Sequence, residues 1–524
     1  MGAGEAELTG PDLEQGMPLG DVGDGELLLG HAGGEPVLLV RRGDELFAVG
    51  ASCAHYGVSL ADGLLVGHEI RCPAHHAAFD LRTGDVLRAP ALNPIPCWEV
   101  EVRDGTVRVT GKRAERPKPR ASYAGTQPER IVIAGAGAAG SAAAQALRRE
   151  GFTGSITLVG ADMAPPYDRP NLSKDYLAGN APEEWMPLFP EDFYRENGID
   201  LLLGSRVAKL EPQRRVLQLL NGRELPYDGL LLATGSDPIR LPVATHGLDH
   251  VLYLRSMADA RAIIARLPQA RRAVVVGASF IGLEAAAALR ERGVEVDIVS
   301  DSEEPLAHVL GPGLGAVFRR VHQEHGVTFH LRDTVAAVGR EQVTLRSGRT
   351  LPADLVVVGI GVRPGVGLAS WAGLALDRGG VAVDEQLQTS APGVYAAGDL
   401  CAWPDPRTGR RIRSEHWVVA QRQGQTAARN LMGAGERFDA VPFFWTQSYD
   451  LTLRYVGHAE KPERVQIDGS LDGRDATAVF WEGGRPLAVA TVGRDRVALQ
   501  AEAEMERQDW RALERMLGGA VQHA

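Results

Sequence analysis

Twice along this chain an apolar run opens into a glycine-rich loop, and the loop opens into an alanine-rich stretch of helical character. In the first copy Ile131-Val-Ile-Ala134 leads into Gly135-Ala-Gly137-Ala138-Ala-Gly140 and then Ser141–Arg149. In the second, Ala273–Val276 leads into Gly277-Ala-Ser279-Phe-Ile-Gly282 and then Leu283–Glu291. Each copy closes with another short apolar run, Ile156–Val159 or Glu295–Val299. Strands that are apolar on both faces belong in parallel sheets covered by helices. Strand, loop, helix and strand at this spacing make a βαβ unit. The chain is therefore expected to contain two Rossmann-like α/β halves of one design.

The loops point to dinucleotides. The first glycine allows a tight turn, the second lets the backbone approach a pyrophosphate, and the third lets the helix pack on the strand. Unpaired N–H groups at the helix start then face the phosphates. Asp162 follows the next strand, where an acidic residue can bond an adenosine ribose. In the second copy Ser279 replaces the middle glycine and is expected to crowd the phosphate slightly. The run Ser300-Asp301-Ser302-Glu303-Glu304 contains no Arg or Lys. Its acidity would repel a 2′-phosphate, which favours NADH over NADPH. Glu284, just after the second loop, suits either the positive end of the helix dipole or a contact on the nicotinamide side. Two more turns stand out, Leu232-Ala-Thr234-Gly235 and Val394-Tyr-Ala-Ala-Gly398-Asp399. Asp399 could cap a helix or accept a hydrogen bond from a flavin's ribityl chain.

Residues 12–112 read as all-β. Runs such as Leu38–Arg41, Leu46–Val49 and Val100–Val102 are separated by turn signals, of which Asp104-Gly105 is a hairpin candidate. Within this region lie Cys53-Ala-His55 and Cys72-Pro-Ala-His75. Two thiolates on one iron and two imidazoles on the other make a Rieske [2Fe–2S] cluster. Zinc is the rival, because Cys₂His₂ is also a zinc set. Zinc-finger spacing groups cysteine with cysteine, whereas here each cysteine has its own histidine. His76 lies outside the motif and is expected to be a supporting or surface residue.

The remaining features bound the class. A chain of 524 residues suggests three or four domains. The net charge of −11 argues against nucleic acid as a partner. No apolar run is long enough to span a membrane, and the acidic, Gly-rich start is not expected to act as a secretory signal. Four cysteines give no disulfide framework, which points to a cytoplasmic setting. Cys97 and Cys401 read as ordinary core or loop residues, and no closely spaced cysteine pair exists for dithiol chemistry. Residues 113–128, rich in Arg, Pro and Lys, read as a linker. After Val441 the chain returns to short strands and closes with helical sequence over Met505–Met516.

Further stretches carry a resemblance: Pro166-Tyr-Asp-Arg-Pro-Asn-Leu-Ser-Lys174, Leu254-Arg255, Tyr395-Ala-Ala-Gly-Asp399, Ser414-Glu-His-Trp417 with Gln421–Gly424, and Phe444-Trp-Thr446 with Leu453-Arg-Tyr455. With the two loops they make residues 129–524 similar to the FAD-dependent pyridine-nucleotide reductases that serve Rieske dioxygenases. The whole chain resembles the apoptosis-inducing-factor-like flavoproteins with a fused Rieske domain. The resemblance implies five segments. They are a Rieske domain at 12–112, a linker at 113–128, an FAD domain at 129–250 and 364–438, an NAD domain at 251–363, and an α+β reductase domain at 439–524. It also implies that Gly135, Gly137, Ala138, Gly140 and Asp162 hold the FAD adenosine and pyrophosphate. Arg169, Lys174, Thr234, Gly235, Arg255, Gly398 and Asp399 would line the rest of the flavin. Trp417 would lie against the isoalloxazine, and Gly277, Ser279, Gly282 and Glu284 would serve NAD(H). Lys174, Glu284 and Trp417 are the expected catalytic residues. Lys174 stands out because the chain has only five lysines. Asp162 stands where the family commonly has Glu. Val58 and Ala74 stand where high-potential Rieske proteins have a disulfide, which implies a low-potential cluster.

The expected activity is transfer of electrons from NADH through FAD to the cluster and on to an unidentified acceptor, a redox protein. The linker would let the Rieske domain swing. An NADH oxidase or diaphorase with a regulatory cluster, and a non-enzymatic redox sensor, are the alternatives. The sequence leaves monomer and homodimer open.

Overall fold

The structure, a computed structural model, describes residues 8–114 and 128–521. Nearly all of the expected linker lies outside the described residues. The chain divides into two compact units. The first combines the N-terminal β segment with Arg494–Met516 from the far end of the chain, and with the short segment Arg149–Gly151. The second holds most of residues 122–493.

In the first unit six strands form an antiparallel sheet in the order Met17–Pro18, Thr106–Lys112, Cys97–Arg103, Glu45–Gly50, Glu35–Arg42, Leu27–Ala32. Asp104 and Gly105 form the expected hairpin turn, with φ of 49° and 74°. Positive φ at both central residues matches the right-handed twist of the strands they join. Four short strands, Leu64–Val66, Glu69–Arg71, Ala78–Asp80 and Val86–Arg88, make a second sheet. Leu38, Val40 and Val49 of the first sheet share a core with Ile70 and Phe79 of the second, and Cys53 and Cys72 lie in that core.

The helix Asp495–Arg507 belongs to this unit and buries Ala498, Leu499, Ala501, Glu502 and Met505. Ala503 is buried too, so the covered arc is wider than one face of the helix. Gln508, at φ 56°, ends it, and the Asp509 carboxylate accepts from Ala512 N–H (2.9 Å) at the start of the next helix, Trp510–Val521. The helical stretch read at Met505–Met516 is thus two helices, broken where a left-handed residue stops the first.

The second unit contains two five-stranded parallel sheets. The first runs Ile199–Leu202, Ser155–Val159, Arg130–Ala134, Gly229–Leu232, Val394–Ala396. The second runs Val327–Leu331, Glu295–Ser300, Arg272–Val276, Leu355–Val358, Val251–Tyr253. In both, the strand that feeds the glycine loop is central, so each loop sits at the carboxyl end of a sheet, where open α/β sheets take their ligands. The chain leaves the first sheet after Leu232 and returns to it at Val394. A five-stranded antiparallel sheet follows, in the order Phe443–Ser448, Leu451–Gly457, Arg485–Val492, Asp475–Glu482, Arg464–Ser470. Among the described residues no helix is long and apolar enough to cross a membrane.

Candidate functional site

The first glycine loop is shaped by its own backbone. Gly135 has φ 120°, and a Cβ there would lie 2.1 Å from the Ala233 carbonyl oxygen. A Cβ on Gly140 would lie 1.8 Å from the Gly135 oxygen. Gly137 differs, since its Cβ would meet only the Arg169 guanidinium, at 3.8 Å. The outer glycines are thus needed for packing and the middle one leaves an open approach. This is the cradle a pyrophosphate requires. Asp162 accepts from the Tyr167 hydroxyl (2.8 Å) and from Ala164 N–H (3.2 Å), which fixes the carboxylate at the strand end.

Beside this cradle Arg169, Arg255 and Asp399 are linked in one network. Asp399 accepts from Ser236 Oγ (2.5 Å) and from the Arg255 guanidinium (2.8 Å). Arg169 donates to the Arg255 carbonyl (2.8 Å), and burial followed by the charge of Arg255 lowers its pKa. Thr234 donates to the Gly365 carbonyl (2.8 Å), next to Gly235, which takes φ 66°. Gly398, at φ 86°, donates its N–H to the Gln423 side chain (2.7 Å). Trp417 is the first residue of the helix Trp417–Leu431 and is half-buried. His416 before it stacks on Phe444 at 4.1 Å, and burial pushes its pKa down to about 4.

Glu284 gathers three segments. Its buried carboxylate accepts from Ser173 Oγ (2.6 Å), Lys174 Nζ (2.8 Å) and Thr446 Oγ1 (2.8 Å). Lys174 is mostly buried, also donates to the Pro170 carbonyl (3.2 Å), and lies 5.9 Å from the centre of the Trp445 ring. Neighbouring Asp168 is buried, and desolvation, opposed by the charge of Lys174, raises its pKa to about 7.

In the second loop Gly277 (φ 106°) and Gly282 are again held by backbone, with a Cβ at 2.3 Å from Gly359 O and 2.1 Å from Gly277 O respectively. Ser279 turns its hydroxyl back into the protein. The hydroxyl accepts from Gly282 N–H (3.2 Å) and donates its O–H to the Gly359 carbonyl (2.7 Å). The side chain is a helix cap. The acidic run is not without cations in space. Arg332 pairs with Glu303, and Arg319 pairs with Glu304 at 2.8 and 2.9 Å. Both arginines come from later in the chain, so the local sequence could not reveal them.

The four Cys and His residues lie on two loops of the β unit. The Cys53 thiol is hydrogen-bonded with Cys72, and this contact, then burial, raises its pKa. His55 Nδ1 and His75 Nδ1 are 3.1 Å apart, with their rings edge to face. Burial lowers the His55 pKa to about 4, which favours the neutral, metal-ligating form. Thiol thus pairs with thiol and imidazole with imidazole. Among the described residues, no three His, Cys, Asp or Glu converge on one point. A mononuclear zinc ion needs three or four ligands at a point, whereas a two-iron cluster asks each iron to take two. The donor set fits the cluster. Tyr56, which the sequence reading passed over, stacks on His55 at 3.9 Å and covers the imidazole pair with an exposed ring.

Comparison with known proteins accounts for this arrangement. The pyridine nucleotide-disulphide oxidoreductase family model matches residues 129–424. The chain belongs to this family. A Rieske [2Fe-2S] domain model matches residues 17–99, and a reductase C-terminal model matches 443–516. Apoptosis-inducing factor 3 of Homo sapiens is 34% identical over 496 residues, covering 91% of this chain and 81% of that protein. Putidaredoxin reductase of Pseudomonas putida is 37% identical over 376 residues, 70% of this chain and 89% of that protein. Among solved structures, the covalent putidaredoxin reductase–putidaredoxin complex superposes with a TM-score of 0.71 at 34% identity, covering 75% of this chain and 99% of that one. The family name refers to a disulphide, yet here none of the four cysteines forms one, and all four are buried. Burial raises the Cys97 pKa to about 11 and raises that of Cys401 further. As a member of the pyridine nucleotide-disulphide oxidoreductases, the chain has a fused N-terminal Rieske domain, a central oxidoreductase domain and a C-terminal reductase domain.

Proposed function

We propose that this protein is an FAD-dependent NAD(P)H oxidoreductase that passes electrons through a fused Rieske cluster to a one-electron acceptor. One observation carries the reading: a single chain holds two dinucleotide cradles and a paired thiol–imidazole site. The ferredoxin and putidaredoxin reductases among its relatives support it. Bound FAD would supply the means to take electrons in a pair and release them singly.

The residues have distinct tasks. Gly135, Gly137, Ala138 and Gly140 bind the FAD pyrophosphate, and Asp162 orients the ribose. Arg255 and Ser236 hold the Asp399 carboxylate in place, ready to accept from the ribityl chain. Glu284 fixes the Lys174 ammonium as a positive charge at the flavin edge, and Trp417 shields the ring from water. Gly277 and Gly282 shape the NAD(H) loop, with Ser279 as its cap. The carboxylates after Ser300 favour NADH over NADPH, because Glu303 and Glu304 already engage the nearby arginines. Cys53 and Cys72 would hold one iron, His55 and His75 the other. The domains are read as 12–112 for the cluster, 129–250 with 364–438 for FAD, 251–363 for NAD(H) and 439–524 for the reductase segment. The acceptor is a redox protein.

The test is an anaerobic NADH titration followed by optical and EPR spectra. Bleaching of the flavin band together with a Rieske-type EPR signal is expected. Flavin bleaching with a silent cluster would remove the relay and leave a diaphorase.

A further inference from the structure

The two cluster loops share one backbone plan but place different residues at its left-handed position. Cys53 N–H donates to Val58 O (2.8 Å), and Gly57 N–H donates back to Cys53 O (2.8 Å). Cys72 N–H donates to Ala77 O (2.8 Å), and His76 N–H donates back to Cys72 O (3.1 Å). In each loop the residue four after the cysteine is left-handed, Gly57 at φ 72° and His76 at φ 61°. Glycine takes that conformation without cost, whereas a residue with a Cβ loses about 1–2 kcal/mol. Space does not explain the difference, since a Cβ on Gly57 would meet nothing within 4 Å. The His76 side chain therefore has to offset its backbone.

Its ring is fully buried, and Nδ1 lies 2.7 Å from a carboxylate oxygen of Glu502. Glu502 is itself fully buried on the helix Asp495–Arg507. Arg71, the residue before Cys72, is buried as well. Its guanidinium lies 3.9 Å from Glu502 and bonds Glu506 (2.7 Å) and Glu69 (2.7 Å), while Arg88 also pairs with Glu506. Three carboxylates thus face two guanidiniums and the His76 imidazole beside the loop of Cys72 and His75. A buried carboxylate is costly to keep unless its position serves something.

We propose that Glu502 is a positioning residue for the cluster. Acting through His76, it holds the loop of Cys72 and His75, and its negative charge biases the bound cluster toward the oxidised state. This rests on the ligand assignment above. Net charge and hydrogen bonding near an iron–sulfur cluster set its potential.

The test uses the full-length holoprotein in an anaerobic redox titration followed by EPR. In Glu502→Gln the cluster midpoint potential should move positive and the g-values should shift, while NADH still bleaches the flavin as in wild type. Glu502→Asp keeps the charge and should return the potential toward wild type. His76→Gly suits the left-handed backbone but cuts the link to Glu502, so the cluster potential should move as in Glu502→Gln, with faster amide exchange across residues 495–507. A Glu502→Gln protein with wild-type potential and g-values would overturn the inference alone. A wild type without a Rieske-type signal would overturn the ligand assignment and this inference with it. If Glu502→Gln failed to load, restored loading in Glu502→Asp would support the role, and failure of both beside a His76→Gly protein with wild-type potential would overturn it.

Discussion

Lys174 donates to Glu284 at 2.8 Å across 110 positions of sequence, and the pair is almost wholly buried. An ion pair in such a place is stabilising only when the remaining lone pairs are satisfied. Ser173 and Thr446 satisfy them. The second nucleotide helix is thereby fastened to the Lys174 loop and to the first strand of the C-terminal sheet, three segments that meet at one carboxylate.

Glu284→Ala leaves the Lys174 ammonium buried without its partner. We expect a loss of about 3–5 kcal/mol in stability, read by chemical denaturation. Glu284→Gln keeps the hydrogen bonds to Ser173 and Thr446 but loses the charge. Flavin reduction by NADH in stopped flow should then slow by about tenfold or more.

Asp168 gives the fold a pH dependence. Its pKa is raised to about 7 by burial, so its contribution to stability is full below the ordinary carboxylate range. That contribution is lost as pH rises through about 7, when the buried group must ionise. Thermal unfolding between about pH 4 and 7 should show wild type losing stability relative to Asp168→Asn by up to a few kcal/mol, with the difference constant above that range. Parallel curves for the two proteins would count against the assignment.

Cys72→Ser should abolish the Rieske-type EPR signal, since one iron loses half of its protein ligands. The flavin should still bleach with NADH, because the dinucleotide loops lie elsewhere in the chain. Loss of NADH-dependent bleaching in that variant would show that the two sites are not independent.

Ser279→Gly removes both the cap on Gly282 N–H and the bond to Gly359. A cost of about 1 kcal/mol in stability is expected, read as a lower Tm. The freed N–H becomes available to a phosphate, so the KM for NADH should fall. A KM that rises instead would mean the cap shapes the loop for the ligand.

Much of this was readable before any coordinates. The glycine loops, their strands and the Asp104-Gly105 hairpin were legible because the sterics that require glycine are local. The two Cys–His pairs were legible because spacing alone separates them from a zinc finger. What stayed hidden depends on partners distant in sequence. The Ser279 hydroxyl bonds a carbonyl 80 residues away. The acidic run after Ser300 is answered by Arg319 and Arg332, which no local window contains. His76 looked peripheral because its meaning lies in Glu502, 426 residues later.

That last distance has a consequence for dissecting the protein. The helix Asp495–Arg507 is covalently the end of the reductase yet packs as part of the iron–sulfur unit. An isolated N-terminal fragment would lack the carboxylate that receives His76. A faithful cluster-bearing fragment would have to carry the helix Asp495–Arg507 along with the N-terminal segment.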